Sequence, residues 1–483
     1  MLFNSFEFLV FFPIVTIAYF LLPHKFRWLH LLIASCIFYM YFVPVYILIL
    51  FATIIIDYVA GILIEKAEGG RRKTFLIMSL LANIGVLAVF KYYNFFIDNI
   101  NHVTGSGLPF LKIILPIGLS FHTFQAMSYT IEVYRKNFAA EKHFGLYALY
   151  VMFYPQLVAG PIERPNNVLP QFREKKTFSY LNAVAGFRLI LWGLFKKVVI
   201  ADRLAQFSDP VFDNPQSFPG ITIAIAAFFF AFQIFCDFSG YSDIALGTAR
   251  VMGFKLMTNF NKPYFSRSIS EFWKRWHISL STWFKDYLYI PLGGNRVPLP
   301  RAYFNLFFVF LISGFWHGAS WTFLAWGALH GFYLIFALVT RKPRELFCKK
   351  VGLDSMGPLY NFINVATVFI LVTVAWIFFR AHDVGNAVFM IKKMAGIPRE
   401  FVSCISTNDI SILNFPIKLR LVYTCLLLIV LLEAVHVIQL KAHGNNLLDK
   451  LPLYFRWGVY YTAIAMIIFL GVYEDKMFIY FQF

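Results

Sequence analysis

Two histidines in this chain have the surroundings to do proton chemistry. His317 sits in the run FLISGFWHGASW (residues 310–321), with Gly314 and Gly318 on either side of it. A neutral imidazole can take a proton from a hydroxyl and later return it, which is general-base work near neutral pH. A histidine inside so apolar a run is costly when charged and faces a cavity or a partner. Its bland alternative is a core histidine donating to a carbonyl of the next helix. His277 lies in RWHISLS, where it would orient a substrate or assist His317, or else bond to Ser281 or a lipid headgroup. The cations around it, Lys274, Arg275, Lys285 and Arg296, suit phosphate binding. They equally suit the solvated face of an amphipathic helix.

Both histidines belong to the stretch Asn261 to Trp321, which reads as one site. Phe265, Ile269, Phe272, Trp276, Leu280, Trp283 and Tyr287 recur at intervals of three or four, which predicts one helix with an apolar stripe. Ser268 with Glu271 three residues on reads as a capping box at its start. Pro291, Gly293, Gly294 and Asn295 end it. His277 would then share a helix face with Trp273, Leu280 and Phe284. Further polar groups lie within apolar runs: His122 in PIGLSFHTFQAMSY, His330 before Gly331, and Asp237, Ser239, Tyr241 and Asp243 in IFCDFSGYSDIALG. Carboxylates there are expensive unless paired or wet, so a polar cavity is expected. His122 and His330 read as packing residues.

These motifs are carried by a very apolar chain. Of 483 residues 59% are hydrophobic and only 14% charged, against roughly 25% charged in a soluble domain. That makes it an all-α polytopic membrane protein. Apolar runs near 6–22, 28–43, 44–64, 74–97, 111–133, 144–159, 181–200, 219–236, 302–316, 319–340, 360–380, 419–438 and 455–472 suggest about eleven spans. Basic loops at 24–27, 65–73 and 135–143 place the N-terminus outside by the positive-inside tendency. The loop GPIERPNNVLPQFREKK breaks that alternation. Gly160, Pro161, Pro165 and Pro170 argue against a regular helix there, so it is expected to enter the membrane and return. Residues 381–418 read as a polar loop with short interfacial helices.

The net charge of +18 fits topology and anionic headgroups. Nucleic acid is excluded as a partner because no soluble basic domain exists. Five scattered cysteines lack metal-ligand spacing, and no metal site, phosphate loop or dinucleotide fingerprint is present.

The segments MLFNSFEFLVFFPI, LVAGPIERP, QIFCDFSGYSDIALG, SISEFWKRWHISLSTWFKDYLYIPLGGNR and FWHGASWTFLAWGALHG resemble, in order and over essentially the whole chain, the membrane-bound O-acyltransferase family. The similarity is strongest to the alginate O-acetyltransferase branch that modifies exopolysaccharides. The resemblance implies a single transmembrane domain over 1–483, with a core at about 116–340 and tilted helices ringed around a tunnel. It implies that His317 is the family's near-invariant histidine and His277 its second conserved polar position. It also implies acetyl-CoA as cytosolic donor, no bound cofactor, and a separate periplasmic or extracellular SGNH-type partner that completes transfer to a polysaccharide. Lys274, Arg275, Trp276, Ser281, Lys285, Asp237, Ser239, Tyr241, Asn295 and Trp316 become the candidate donor- and substrate-contacting residues. The location implied is the bacterial cytoplasmic (inner) membrane. D-alanyl transfer to a cell-wall polymer, or proton-coupled transport without thioester cleavage, are the alternatives.

Overall fold

The computed structural model describes residues 1–113, 115–158, 160–407, 409–441, 447–473 and 479. Every regular element among them is helical. Among the described residues eight helices are long and apolar enough to cross a bilayer: Pro44–Lys66, Gly69–Thr104, Gly220–Val251, Leu299–His317, Trp321–Val339, Gly357–Arg380, Leu419–Lys441 and Leu453–Leu470. The other five expected runs take other forms, those at 28–43 and 111–133 being the shorter helices His24–Met40 and Leu119–Tyr134. The run at 6–22 is a shorter helix, Phe6–Leu21. The run at 144–159 breaks at Phe153 into Phe144–Met152 and Tyr154–Leu157. The run at 181–200 passes from an α-helix, Tyr180–Leu194, into a π-turn over Phe195–Ala201.

The chain divides into two compact units. The first comprises Met1–Gly193 with Tyr241–Thr258. Its core is polar as well as apolar. The Asp57 carboxylate accepts from Ser79 Oγ at 2.6 Å and Asn83 Nδ2 at 2.8 Å, and His122 Nε2 lies 2.8 Å from Thr53 Oγ1. The loop expected to be irregular is regular in part, with a helix over Pro165–Arg173. Pro165 holds its first position, where a missing N–H costs nothing and the fixed φ helps. Pro170 within it removes one backbone bond without ending so short a helix. Glu163, just before, accepts from Met257 N at 2.6 Å and Asn167 Nδ2 at 2.7 Å.

The second unit comprises Leu194–Gly240 and Asn259–Phe483. The Gly220–Val251 helix starts in it, and the Glu400 carboxylate accepts from both Gly220 N and Ile221 N at 2.9 Å. Those two amides are orphans of the first turn, and the negative charge suits that end of the helix. Glu400 itself lies on the short helix Ile397–Thr407, next to Val384–Met394 in the stretch expected to hold interfacial helices.

Glycine sets the hairpin of Leu299–His317 and Trp321–Val339. A Cβ on Gly314 would fall 2.2 Å from the Phe323 carbonyl oxygen, and one on Gly327 would fall 2.4 Å from that of Phe310. The two backbones meet at a distance that no other residue allows. That contact holds the C-terminal end of the first helix, and His317 with it, against the second.

Candidate functional site

The sequence predicted one helix through His277, and the structure interrupts it there. Ser268 does cap the start, its Oγ accepting from Glu271 N at 3.1 Å, while Glu271 reaches back to Arg267 N at 2.7 Å. The helix Ile269–Arg275 then stops, and a second, Ile278–Phe284, begins after His277. The cause is a neighbouring extended segment. Asn261 N donates to the Arg275 carbonyl at 2.9 Å, and Ile278 N donates to the Asn259 carbonyl at 2.9 Å. These bonds capture a carbonyl and an amide that a continuous helix would use internally.

His277 consequently adopts the left-handed conformation, with φ 42° and ψ 56°. For a residue with a Cβ this costs about 1–2 kcal/mol, which the two flanking bonds offset. Its side chain is fully buried. Nδ1 lies 3.1 Å from Asn259 Oδ1, not against Ser281. The ring meets the edge of Phe238 at 4.7 Å. Burial, away from the candidate spans, pushes its pKa down to about 3, so the imidazole is neutral.

His317 is the last residue of its helix and 6% exposed. Its ring lies edge-on to Trp326 at 5.0 Å, Trp316 at 5.0 Å and Phe379 at 5.4 Å. The next residue is Gly318, where a Cβ would fall 2.1 Å from the Phe323 ring and so would have to displace it. Trp316 also adjoins His277, with ring centroids 6.5 Å apart. One indole therefore touches both imidazoles, although 40 positions of sequence separate them.

The other predicted site residues divide sharply. Trp276 is a core aromatic, stacked on Phe272 at 5.5 Å and against Trp376 at 4.9 Å. Ser281 Oγ donates to the Trp276 carbonyl at 3.3 Å and so braces the break beside His277. Arg275 pairs with Glu271 at 2.6 Å. Lys274, Lys285 and Asn295 are exposed, unlike the buried histidines. Asp237 is engaged by Lys197 at 2.7 Å and by Ile479 N at 2.8 Å. Ser239 accepts from Lys196 Nζ at 2.8 Å. Tyr241 belongs to the first unit, its ring 4.5 Å from Phe3. His330 accepts from Trp273 Nε1 at 3.3 Å and stacks among aromatics.

Sequence reasoning missed four contributors. Asn259 holds His277, and the signal was its place in NFNKP, beside a turn-forming proline. Lys196 and Lys197 are buried by the π-turn, which turns both inward. Two lysines in an apolar run were the clue. Asn305 fastens the Gly293–Gly294 turn, its Nδ2 donating to the Leu292 carbonyl at 3.0 Å.

Comparison with known proteins agrees with the motifs. A profile of the MBOAT, membrane-bound O-acyltransferase family matches residues 73–380. The chain is 37% identical over 431 residues to a peptidoglycan O-acetyltransferase of Helicobacter pylori, covering 82% of this chain and 80% of that one. It is 38% identical over 403 residues to a probable alginate O-acetylase of Pseudomonas aeruginosa, covering 82% and 75%. A teichoic acid D-alanyltransferase of Streptococcus thermophilus is 32% identical over 257 residues, covering 50% and 61%. With its apolar helices and this matched length, the chain belongs to the membrane-bound O-acyltransferase family and is a multi-pass membrane O-acyltransferase.

Proposed function

We propose that this enzyme moves an acetyl group from acetyl-CoA, on the cytosolic side of a bacterial cytoplasmic membrane, toward an extracellular polysaccharide such as alginate. His317 is the general base in this reading. The observation that carries it is the meeting of His317 and His277 on Trp316 in a buried aromatic enclosure. The relatives' names supply the reaction class: O-acetylation of peptidoglycan and alginate.

A thioester is already activated, so positioning and one proton transfer do most of the work. The acceptor oxygen bonds to the acetyl carbonyl carbon while His317 takes its proton. The carbon–sulfur bond then breaks, and the proton passes to the departing CoA thiolate. His277 orients a substrate or stabilises the oxyanion. A separate SGNH-type protein outside the membrane completes delivery to the sugar.

The test is free-thiol release from acetyl-CoA by the purified enzyme with its partner and glycan, comparing the wild type with His317→Ala. Release abolished in the variant supports the reading. Equal release by both removes His317 from the chemistry. Absence of release from the wild type points to a different acyl donor or to transport without thioester cleavage.

A further inference from the structure

We propose that Asn259 is a positioning residue that fixes His277 as its Nδ1–H tautomer, so that Nε2 carries the lone pair and His277 meets substrate only as a hydrogen-bond acceptor. The inference rests on reading His277 as a group of the reacting site, and it narrows that reading.

The argument starts from an amide whose orientation is fixed by its neighbours. An asparagine's oxygen and nitrogen can be exchanged on paper, and a histidine tautomer then follows whichever choice is made. Here the choice is not free. One terminal atom of Asn259 receives the backbone N–H of Ser279 at 3.2 Å and the Ser279 hydroxyl at 2.9 Å. A backbone N–H can only donate, so that atom is the oxygen. The same oxygen stands 3.1 Å from His277 Nδ1. An amide oxygen can only accept, so Nδ1 carries the hydrogen. Three donors thus converge on Asn259 Oδ1. Asn259 is itself 1% exposed, and its carbonyl also holds Ile278 N. Side chain and backbone of one residue therefore fix the ring's orientation, its tautomer and the helix break that presents it.

The chemical consequence is selective. A neutral imidazole has one N–H, and here it is spent on Asn259. Nε2 cannot donate to a developing oxyanion, so His277 is excluded from oxyanion stabilisation. What it can do is accept from an O–H or N–H of a bound substrate and set that group's direction. Stabilisation of the oxyanion then falls to other donors.

Nitrogen NMR of enzyme labelled at the histidine rings reads the tautomer directly, with His277→Gln identifying the resonances. The wild type is expected to show a protonated Nδ1 and a pyridine-type Nε2. Asn259→Leu should lose that preference and lower kcat/KM for thiol release by about 10- to 100-fold, the scale on which hydrogen-bond partners of metal-ligating histidines act. Asn259→Asp retains the acceptor oxygen and should restore the tautomer. A wild-type ring protonated at Nε2 overturns the proposal whatever the kinetics. So does Asn259→Leu with an unchanged tautomer. If His277→Gln has wild-type activity while the wild-type spectrum shows Nδ1–H, the reading of His277 as a reacting-site group is what fails, and the proposed role fails with it.

Discussion

At position 277 the backbone and the side chain make separate demands, and substitution can separate them. The left-handed backbone favours glycine and punishes β-branching. His277→Val should therefore be less stable than His277→Gly by about 1–2 kcal/mol, read as a difference in thermal unfolding midpoint in detergent. Both should lose acyl transfer, because the imidazole is gone. At Trp316 the aromatic contact matters more than the indole itself. Trp316→Phe should retain much of the thiol release, whereas Trp316→Ala removes a wall of both histidines and about 3–5 kcal/mol of packing. Equal activity in those two variants would show that the ring does not organise the pair.

At the scale of elements, two close fits lend themselves to test. Gly314→Ala places a carbon 2.2 Å from a carbonyl oxygen of the facing helix, so the hairpin must part. The expected outcome is a protein that unfolds at markedly lower temperature, with His317 displaced and activity lost. Lys197 stands between Asp202 at 2.8 Å and Asp237 at 2.7 Å, all three buried. Lys197→Met strands two carboxylates and should cost about 3–5 kcal/mol. Adding Asp202→Asn and Asp237→Asn should recover part of it.

These elements also mark how far the sequence could be read. The long apolar helices and the Ser268 cap were legible, because hydrophobic period and capping chemistry are local. The break at His277 was not. Spacing alone carried the helix through, since the competing bonds, Asn261 to Arg275 and Ile278 to Asn259, come from a segment well upstream. The inward turn of Lys196 and Lys197 was hidden for a related reason: an α-helical count places side chains wrongly once a π-turn adds a residue. The histidines were visible as chemistry, but their shared contact with Trp316 depends on tertiary packing.

For the whole molecule, charge gives the testable statement. The positive-inside tendency puts the basic helix Arg341–Val351 on the cytosolic face. Cys348 lies on that helix and is only half-buried, while Cys236 and Cys425 are buried. In a variant retaining Cys348 alone, a membrane-impermeant maleimide should label inside-out vesicles and spare right-side-out ones. Labelling of the opposite set would reverse the orientation. The bond from Ile479 N to Asp237 Oδ2 bears on something else, the order in which the protein is made. It joins residues 242 positions apart. During synthesis Asp237 and Lys197 both emerge before Ile479, so until then Asp237 lacks the amide donor that Ile479 supplies. The packing around Asp237 is therefore complete only once residue 479 has been made, which sets an order of assembly within this unit.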